Sequence, residues 1–428
     1  MMKFSLLIVG AVLALASLGA IGATTEIHCG YVLDVEAEKL LSDQRILVRD
    51  DRIIAMGPAV DTPAGAGKID LSDRYCAPGL MDAHAHLFFD ITRGTVDQTV
   101  PTQSSAYKAL RGLKNAQILL RSGFTTIRIP GDGDLHYAGI DLRNAINRGD
   151  FVGPRMFVAP HAISALGGHG DLNTYAPDLV NKPLGFIADG VDEVRKAVRK
   201  EIKYGADWIK VMASGGVISQ HDDPEVSTYS QAEFNAMAEE AHRHHKKITA
   251  HAHSDAAIRM AVEAGFDSIE HATLVSEKTI KLMAKKGTYY IPTLYVIDWI
   301  IEMGRKGGVS ADNLEKAKLV AARHSRSVNM AYKHGVKMVL GTDPVFPMDQ
   351  AIREFNAMAT RIPNNWYVLQ AGTIHGAELL GLAEETGSLK VGKLADIVAM
   401  EKNPIAAMKN IEQIGFVMKN GAVVRNDY

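Results

Sequence analysis

From residue 79 to residue 344, short apolar runs alternate with longer segments of helical period. In chain order the runs are "GLMDAHAHL", "FTTIRIPG", "RMFVAP", "DWIKVMASGG", "KITAHAHS", "SIEHAT", "TYYIPTLY" and "KMVLGTDP". Runs this short and this apolar read as strands covered on both faces. The segments between them read as helices. "VDEVRKAVRKEIKYG" precedes the fourth run. "YSQAEFNAMAEEAHRHHK" precedes the fifth and opens with Ser230 and Glu233 in capping-box spacing. "SDAAIRMAVEAG" ends in Gly265, a helix stop. Strand–helix alternation calls for a parallel sheet with helices outside it, and eight repeats call for closure. The expected class is α/β, a TIM-type (β/α)8 barrel over residues 78–385.

The flanks have a different rhythm. "EIHCGYVLDV" and "QRILVRDDRIIAMG" are hairpin-like strands separated by turn residues, and "GSLKVGKLADIVAM" and "IGFVMKNGAVV" return to that pattern after the barrel. Residues 24–77 and 386–428 are therefore expected to form one small β-sandwich domain built from both chain ends. Its two cysteines, Cys29 and Cys76, fit either a disulfide or two buried thiols. Residues 1–23 carry one lysine, an apolar run and then small residues, the layout of a secretory signal peptide. The mature chain is expected to be periplasmic or secreted. No other segment is long and apolar enough to cross a bilayer. A formal charge of −2 gives no sign of a nucleic-acid surface.

Active sites of such barrels lie at the C-terminal strand ends. The polar residues there are His84 and His86 (run one), Lys210 (run four), His251 and His253 (run five), His271 (run six) and Asp343 (run eight). Residues i and i+2 of a strand face the same way, so His84 and His86 can address one point. Together the set offers nitrogen and oxygen ligands to one or two divalent ions. Lys210 stands out. Inside a barrel it either pairs with an acid or loses its proton. A neutral amine can add CO2 and become an anionic, two-oxygen carbamate. Taken alone, Asp343 in "GTDP" would be a turn residue; its place at the eighth strand end argues otherwise. "HRHHKK", at a helix end where cations suit the dipole, reads as structural.

The His-x-His pair, the strand-four lysine, the two strand-end histidines and the strand-eight aspartate resemble the amidohydrolase superfamily. The similar branch contains metal-dependent dipeptidases, Xaa-Pro and Xaa-Arg/Lys carboxypeptidases, imidazolonepropionase-like proteins and ochratoxin-degrading amidases. The resemblance covers nearly the whole mature chain, "GSLKVGKLADIVAM" included. It implies two divalent ions, usually zinc. His84, His86 and Asp343 would hold one, His251 and His271 the other, and carboxylated Lys210 would bridge both. It further implies hydrolysis of an amide or dipeptide, with release of a C-terminal amino acid, by a water the ions activate. Asp343 would move the proton and His253 would meet the substrate. Relatives often form rings or octamers, so a homo-oligomer is expected.

By the same resemblance, His161, His169, Tyr229 and His253 are the candidate substrate-binding residues. Arg128 could bind a carboxylate, but a structural pairing with Asp132 or Asp134 is favoured. Asp222, Asp223 and Glu225 would suit a basic leaving residue. Phe88, Phe89, Tyr295, Trp299 and Phe346 would suit an aromatic one, as in an ochratoxin-type amide. The rival readings are a cyclic amidase or deaminase, a lactonase or phosphotriesterase, and a non-catalytic secreted binding protein. Lys210 counts against the first, because such enzymes usually use one metal. The complete ligand set counts against the last. There is no G-x-S-x-G and no G-x-x-x-x-G-K-[ST].

Overall fold

The computed structural model describes residues 24–89, 99–134, 136–171, 173, 176, 178, 185–307 and 309–428. The expected signal peptide, residues 1–23, lies outside them. The chain opens with β1 (Thr24–Asp34), β2 (Lys39–Arg49), β3 (Arg52–Gly57) and β4 (Gly67–Pro78), and closes with β14 (Ile397–Met400), β15 (Ile414–Lys419) and β16 (Ala422–Asn426). These seven strands form one sheet, in the order β16-β15-β14-β4-β1-β2-β3. Both chain ends thus meet in one sheet. The strands are assigned to a single sheet, not to the two facing sheets of a sandwich. Their alternating apolar residues, among them Ile27, Val32, Ile46, Ile397 and Phe416, close a separate core. Cys29 and Cys76 are joined by a disulfide inside it.

The middle of the chain is mixed α/β. Its strands are β5 (Leu80–Asp82), β6 (Phe124–Pro130), β7 (Arg155–Ala159), β8 (Ala162–Ser164), β9 (Phe186–Ile187), β10 (Trp208–Met212), β11 (Lys247–Ala252), β12 (Ser268–His271) and β13 (Tyr289–Ile291). They form two parallel arcs, β5-β6-β7 and β13-β12-β11-β10-β8-β9. The helices between and after them are α1 (Ser105–Arg121), α2 (Ala138–Asn147), α3 (Val191–Lys203), α4 (Gln231–Arg243), α5 (Asp255–Ala264), α6 (Glu277–Lys286), α7 (Leu294–Met303), α8 (Ala311–Lys333), α9 (Glu354–Ala359), α10 (Asn365–Ala371) and α11 (Ile374–Leu380). Ser230 and Glu233 close the capping box of α4, and Gly265 ends α5 in the left-handed conformation.

The eighth expected run, residues 337–344, is not a ladder strand. It is nonetheless tied on both sides. Val339 N–H donates to Tyr290 O (3.0 Å), and Ala83 N–H donates to Leu340 O (2.9 Å). Leu340 N–H goes to Ala371 O (3.0 Å), which takes it out of any ladder. At the other gap Asp207 N–H donates to Val158 O (2.8 Å). Most strand residues of the two arcs are buried, every residue of β6 included, and one large core underlies both arcs.

Candidate active site

Below the strand ends lies a buried polar cluster. The Arg128 guanidinium sits over Trp208 (4.5 Å) and donates to Ala83 O (2.6 Å), Ser268 Oγ (3.1 Å) and Glu270 Oε1 (2.5 Å). Its partner is therefore Glu270, not Asp132 or Asp134. Those two are occupied by main-chain donors instead, Asp132 by Leu87, Phe88 and Gly133, and Asp134 by His136 and Ala138. Thr249 Oγ1 also donates to Glu270. Burial works against the Glu270 carboxylate, but Arg128 and His84 outweigh it and hold the group ionised, well below the usual range.

Glu270 Oε2 lies 2.7 Å from His84 Nδ1. A carboxylate only accepts, so Nδ1 carries the proton and Nε2 is bare. That bare Nε2 faces His86 Nε2 at 3.2 Å and Asp343 Oδ1 at 3.6 Å, and His86 Nε2 is 3.1 Å from the same oxygen. Burial and the nearby Lys210 amine lower the His84 imidazole to about 4. His86 shifts the other way: burial opposes its charge, but Asp343 outweighs that and raises it. Three ligand atoms thus converge within 4.8 Å of one another. This donor set fits a divalent cation.

The second group adjoins the first. The rings of His251 and His271 are 4.5 Å apart, and His84 lies 5.2 Å from His271. Burial and neighbouring histidines hold the His251 and His271 imidazoles neutral, well below their ordinary value. His271 Nδ1 lies 2.7 Å from Thr293 Oγ1, and His253 Nδ1 2.8 Å from Thr273 Oγ1. Lys210 is 1% exposed, and burial lowers its amine to about 8. His84, His86, Lys210, His251, His271 and Asp343 all line one cavity, and His253 and His169 line it too. His271, Ala272, Thr293 and Asp343 adopt positive φ (68°, 41°, 51° and 49°), so backbone strain collects where the strands end.

Not every expected residue is in that cavity. His161 is turned to Glu201 (3.1 Å) and packs on Tyr137, and the Tyr229 hydroxyl donates to Ala188 O (3.0 Å). Neither is among the lining residues. Of the aromatic candidates only Phe89 lines the cavity; Phe88 packs against Gly112, and Tyr295, Trp299 and Phe346 pack on one another. Asp222, Asp223 and Glu225 are not among the lining residues either. Aliphatic side chains take that place: Val217, Ile218, Val296, Ile297, Ile300 and Val345. His324 of α8 is a lining residue that strand-end reasoning cannot reach. It is 3% exposed and its Nε2 has no partner.

The Amidohydrolase family profile matches residues 75–424. The chain belongs to the amidohydrolase family. This amidohydrolase is 33% identical to the ochratoxinase of Aspergillus niger over 431 residues, 94% of this chain and 86% of that protein. Among solved structures it is similar to a Xaa-Pro dipeptidase with methionine bound in the active site, at 31% identity and a TM-score of 0.88, covering 94% of this chain and 100% of that one. The A. niger ochratoxinase structure superposes with a TM-score of 0.82 at 29% identity, covering 95% and 96%. The protein is a hydrolase acting on amide bonds. No helix among its described residues is long and apolar enough to cross a membrane.

Proposed function

We propose that this amidohydrolase is an exported amidase of the dipeptidase and carboxypeptidase type, releasing a C-terminal amino acid from a small amide with an apolar portion. The observation that carries the reading is the convergence of His84 Nε2, His86 Nε2 and Asp343 Oδ1 beside Lys210, His251 and His271. In this reading β5, β6, β7, β10, β11, β12, β13 and residues 337–344 act as one eight-stranded barrel. His84, His86 and Asp343 would hold one ion and His251 and His271 the other, and Lys210, carboxylated by CO2 with loss of a proton, would be the ligand they share. Two zinc ions there would supply an activated water and polarise the scissile carbonyl.

The chain's own groups do the rest. Asp343 uses Oδ2, the oxygen His86 does not engage, to carry a proton from the attacking water to the leaving amine. A proton donated by Thr273 to His253 Nδ1 leaves Nε2–H to hold the carbonyl oxygen as charge grows on it. The aliphatic wall from α7 and residues 217–218 suits an apolar or aromatic substrate group. The leader-like residues 1–23 and the Cys29–Cys76 disulfide support an oxidising, extracytoplasmic location.

The test is hydrolysis of a panel of N-acyl amino acids and dipeptides, before and after chelation, with metal content assayed alongside. Two zinc ions per chain and chelator-sensitive release of a C-terminal amino acid are expected, fastest for apolar leaving residues. One metal or none would overturn the carbamate bridge. Activity confined to esters or cyclic amides would overturn the amidase reading.

A further inference from the structure

His169 reaches the cavity from the glycine-rich loop that follows β8, and its ring is tightly held. It stacks on His251 with centroids 4.3 Å apart and planes at 27°. On its other side is Gly216, where a Cβ would fall 2.1 Å from the ring. His169 Nδ1 lies 2.6 Å from Ser219 Oγ, and Ser219 Oγ donates at 2.6 Å to the Asp222 carboxylate. A hydroxyl has one proton. With that proton on Asp222, Ser219 must accept from His169, so the His169 proton sits on Nδ1 and Nε2 is the acceptor. Asp222 also takes Gly216 N–H (2.8 Å).

The far end of this relay is on another element. Lys316, in the second turn of α8, sends Nζ among four oxygens: Gly216 O (3.1 Å), Ser219 O (3.1 Å), Asp222 O (2.6 Å) and Asp222 Oδ1 (2.7 Å). The same face of α8 continues with His324 at the cavity wall and Ser327, whose hydroxyl donates to Thr273 O (2.8 Å) beside the His253 partner. One helix therefore grips the loops that follow β10 and β12.

We propose that Lys316 is a positioning residue for the amide-bond reaction: through Asp222 and Ser219 it fixes the His169 ring against His251 in a single tautomer, with Nε2 free to accept from a bound ligand. A lysine on a helix outside the strands thus orders two loops at once. Cut at Lys316, the relay leaves Asp222 without its cation, and the 214–223 loop no longer holds the 165–171 loop.

The test uses the metal-loaded full chain and the variants Lys316→Met, Lys316→Arg, His169→Ala and Lys316→Met/His169→Ala. Hydrogen exchange is read by mass spectrometry on peptides covering 165–171 and 214–223, and kcat/KM on the best amide of the panel. Lys316→Met is expected to speed exchange in both segments and to cut kcat/KM about tenfold or more, the range seen when outer partners of site histidines are lost. Lys316→Arg should restore most of it. The double variant should be no worse than His169→Ala, because both act through one ring. Unchanged exchange at 165–171 would overturn the proposal, as would losses that multiply in the double variant. If Lys316→Met does not fold, Ser219→Ala breaks the relay at its middle and must give the same two results. The activity arm rests on the amidase reading above. If the wild type cleaves no amide, that reading fails, and the exchange arm alone decides whether Lys316 holds His169 through the relay.

Discussion

Removing the Glu270 charge should damage this protein more than any other single change to an unliganded carboxylate. Glu270 and Arg128 have fully buried side chains, and the carboxylate also orients His84. Glu270→Gln keeps the shape and deletes the charge. The Arg128 guanidinium then keeps Ala83 O, Ser268 Oγ and the face of Trp208, with at most a neutral amide oxygen in place of the carboxylate. Breaking one side of a buried ion pair costs about 3–5 kcal/mol, because the surviving charge is left uncompensated. Arg128→Met should cost a similar amount by stranding the carboxylate. The double variant has no stranded charge. It should recover at least about 2 kcal/mol relative to the sum of the singles. The assay is urea unfolding of the four metal-free proteins at pH 7, which keeps metal linkage out of the comparison. Zinc titration of the folded proteins is the second readout. Glu270→Gln should weaken binding about 10- to 100-fold, because His84 Nδ1 loses the acceptor that sets its tautomer. A Glu270→Gln protein within about 1 kcal/mol of wild type, or singles that simply add, would refute the reasoning.

Other outcomes follow from the same geometry. The Cys29–Cys76 bridge closes a loop of 47 residues in sequence separation, so replacing both cysteines by serine should lower unfolding stability by about 4 kcal/mol, with denaturant midpoints insensitive to reductant thereafter. Asp222 is buried, which raises its carboxyl, but His169, Lys316 and Ser219 hold it well below the ordinary value of 3.8. Its stabilisation is therefore fully present above about pH 4 and shrinks as pH falls further toward the folded value; the gap between the urea midpoints of wild type and Asp222→Asn should be full at pH 6 and smaller, but still present, at pH 3. Tyr229→Phe should leave kcat/KM within about twofold and cost only about 0.5–1.5 kcal/mol of stability, since it removes the bond to Ala188 O outside the cavity; a large rise in KM would return Tyr229 to the substrate site.

The residues legible in the sequence share a physical reason. His84, His86, Lys210, His251, His253 and His271 lie on strands or at their ends, where two-residue periodicity and the rule that parallel strands discharge into one mouth decide where a side chain points. The elements that position them were legible too, because Ser230, Glu233 and Gly265 act locally at helix ends. What was not legible depends on a partner distant in sequence. Glu270 reads as one polar letter in "SIEHAT", and only the packed arcs show that Arg128, from 142 residues earlier, neutralises it. Tyr229 and His161 sit in connecting segments without a period, so chemistry suggested them and packing sent them elsewhere. Lys316, His324 and Ser327 illustrate the deeper limit. Their spacing on a 23-residue helix is that of an ordinary polar face, which reads as solvated. A helix reports the period of its faces but not what each face meets. Here the face that looks wet carries one side of the cavity and the cation that ties down its loops, and no reading of α8 alone could separate that face from water.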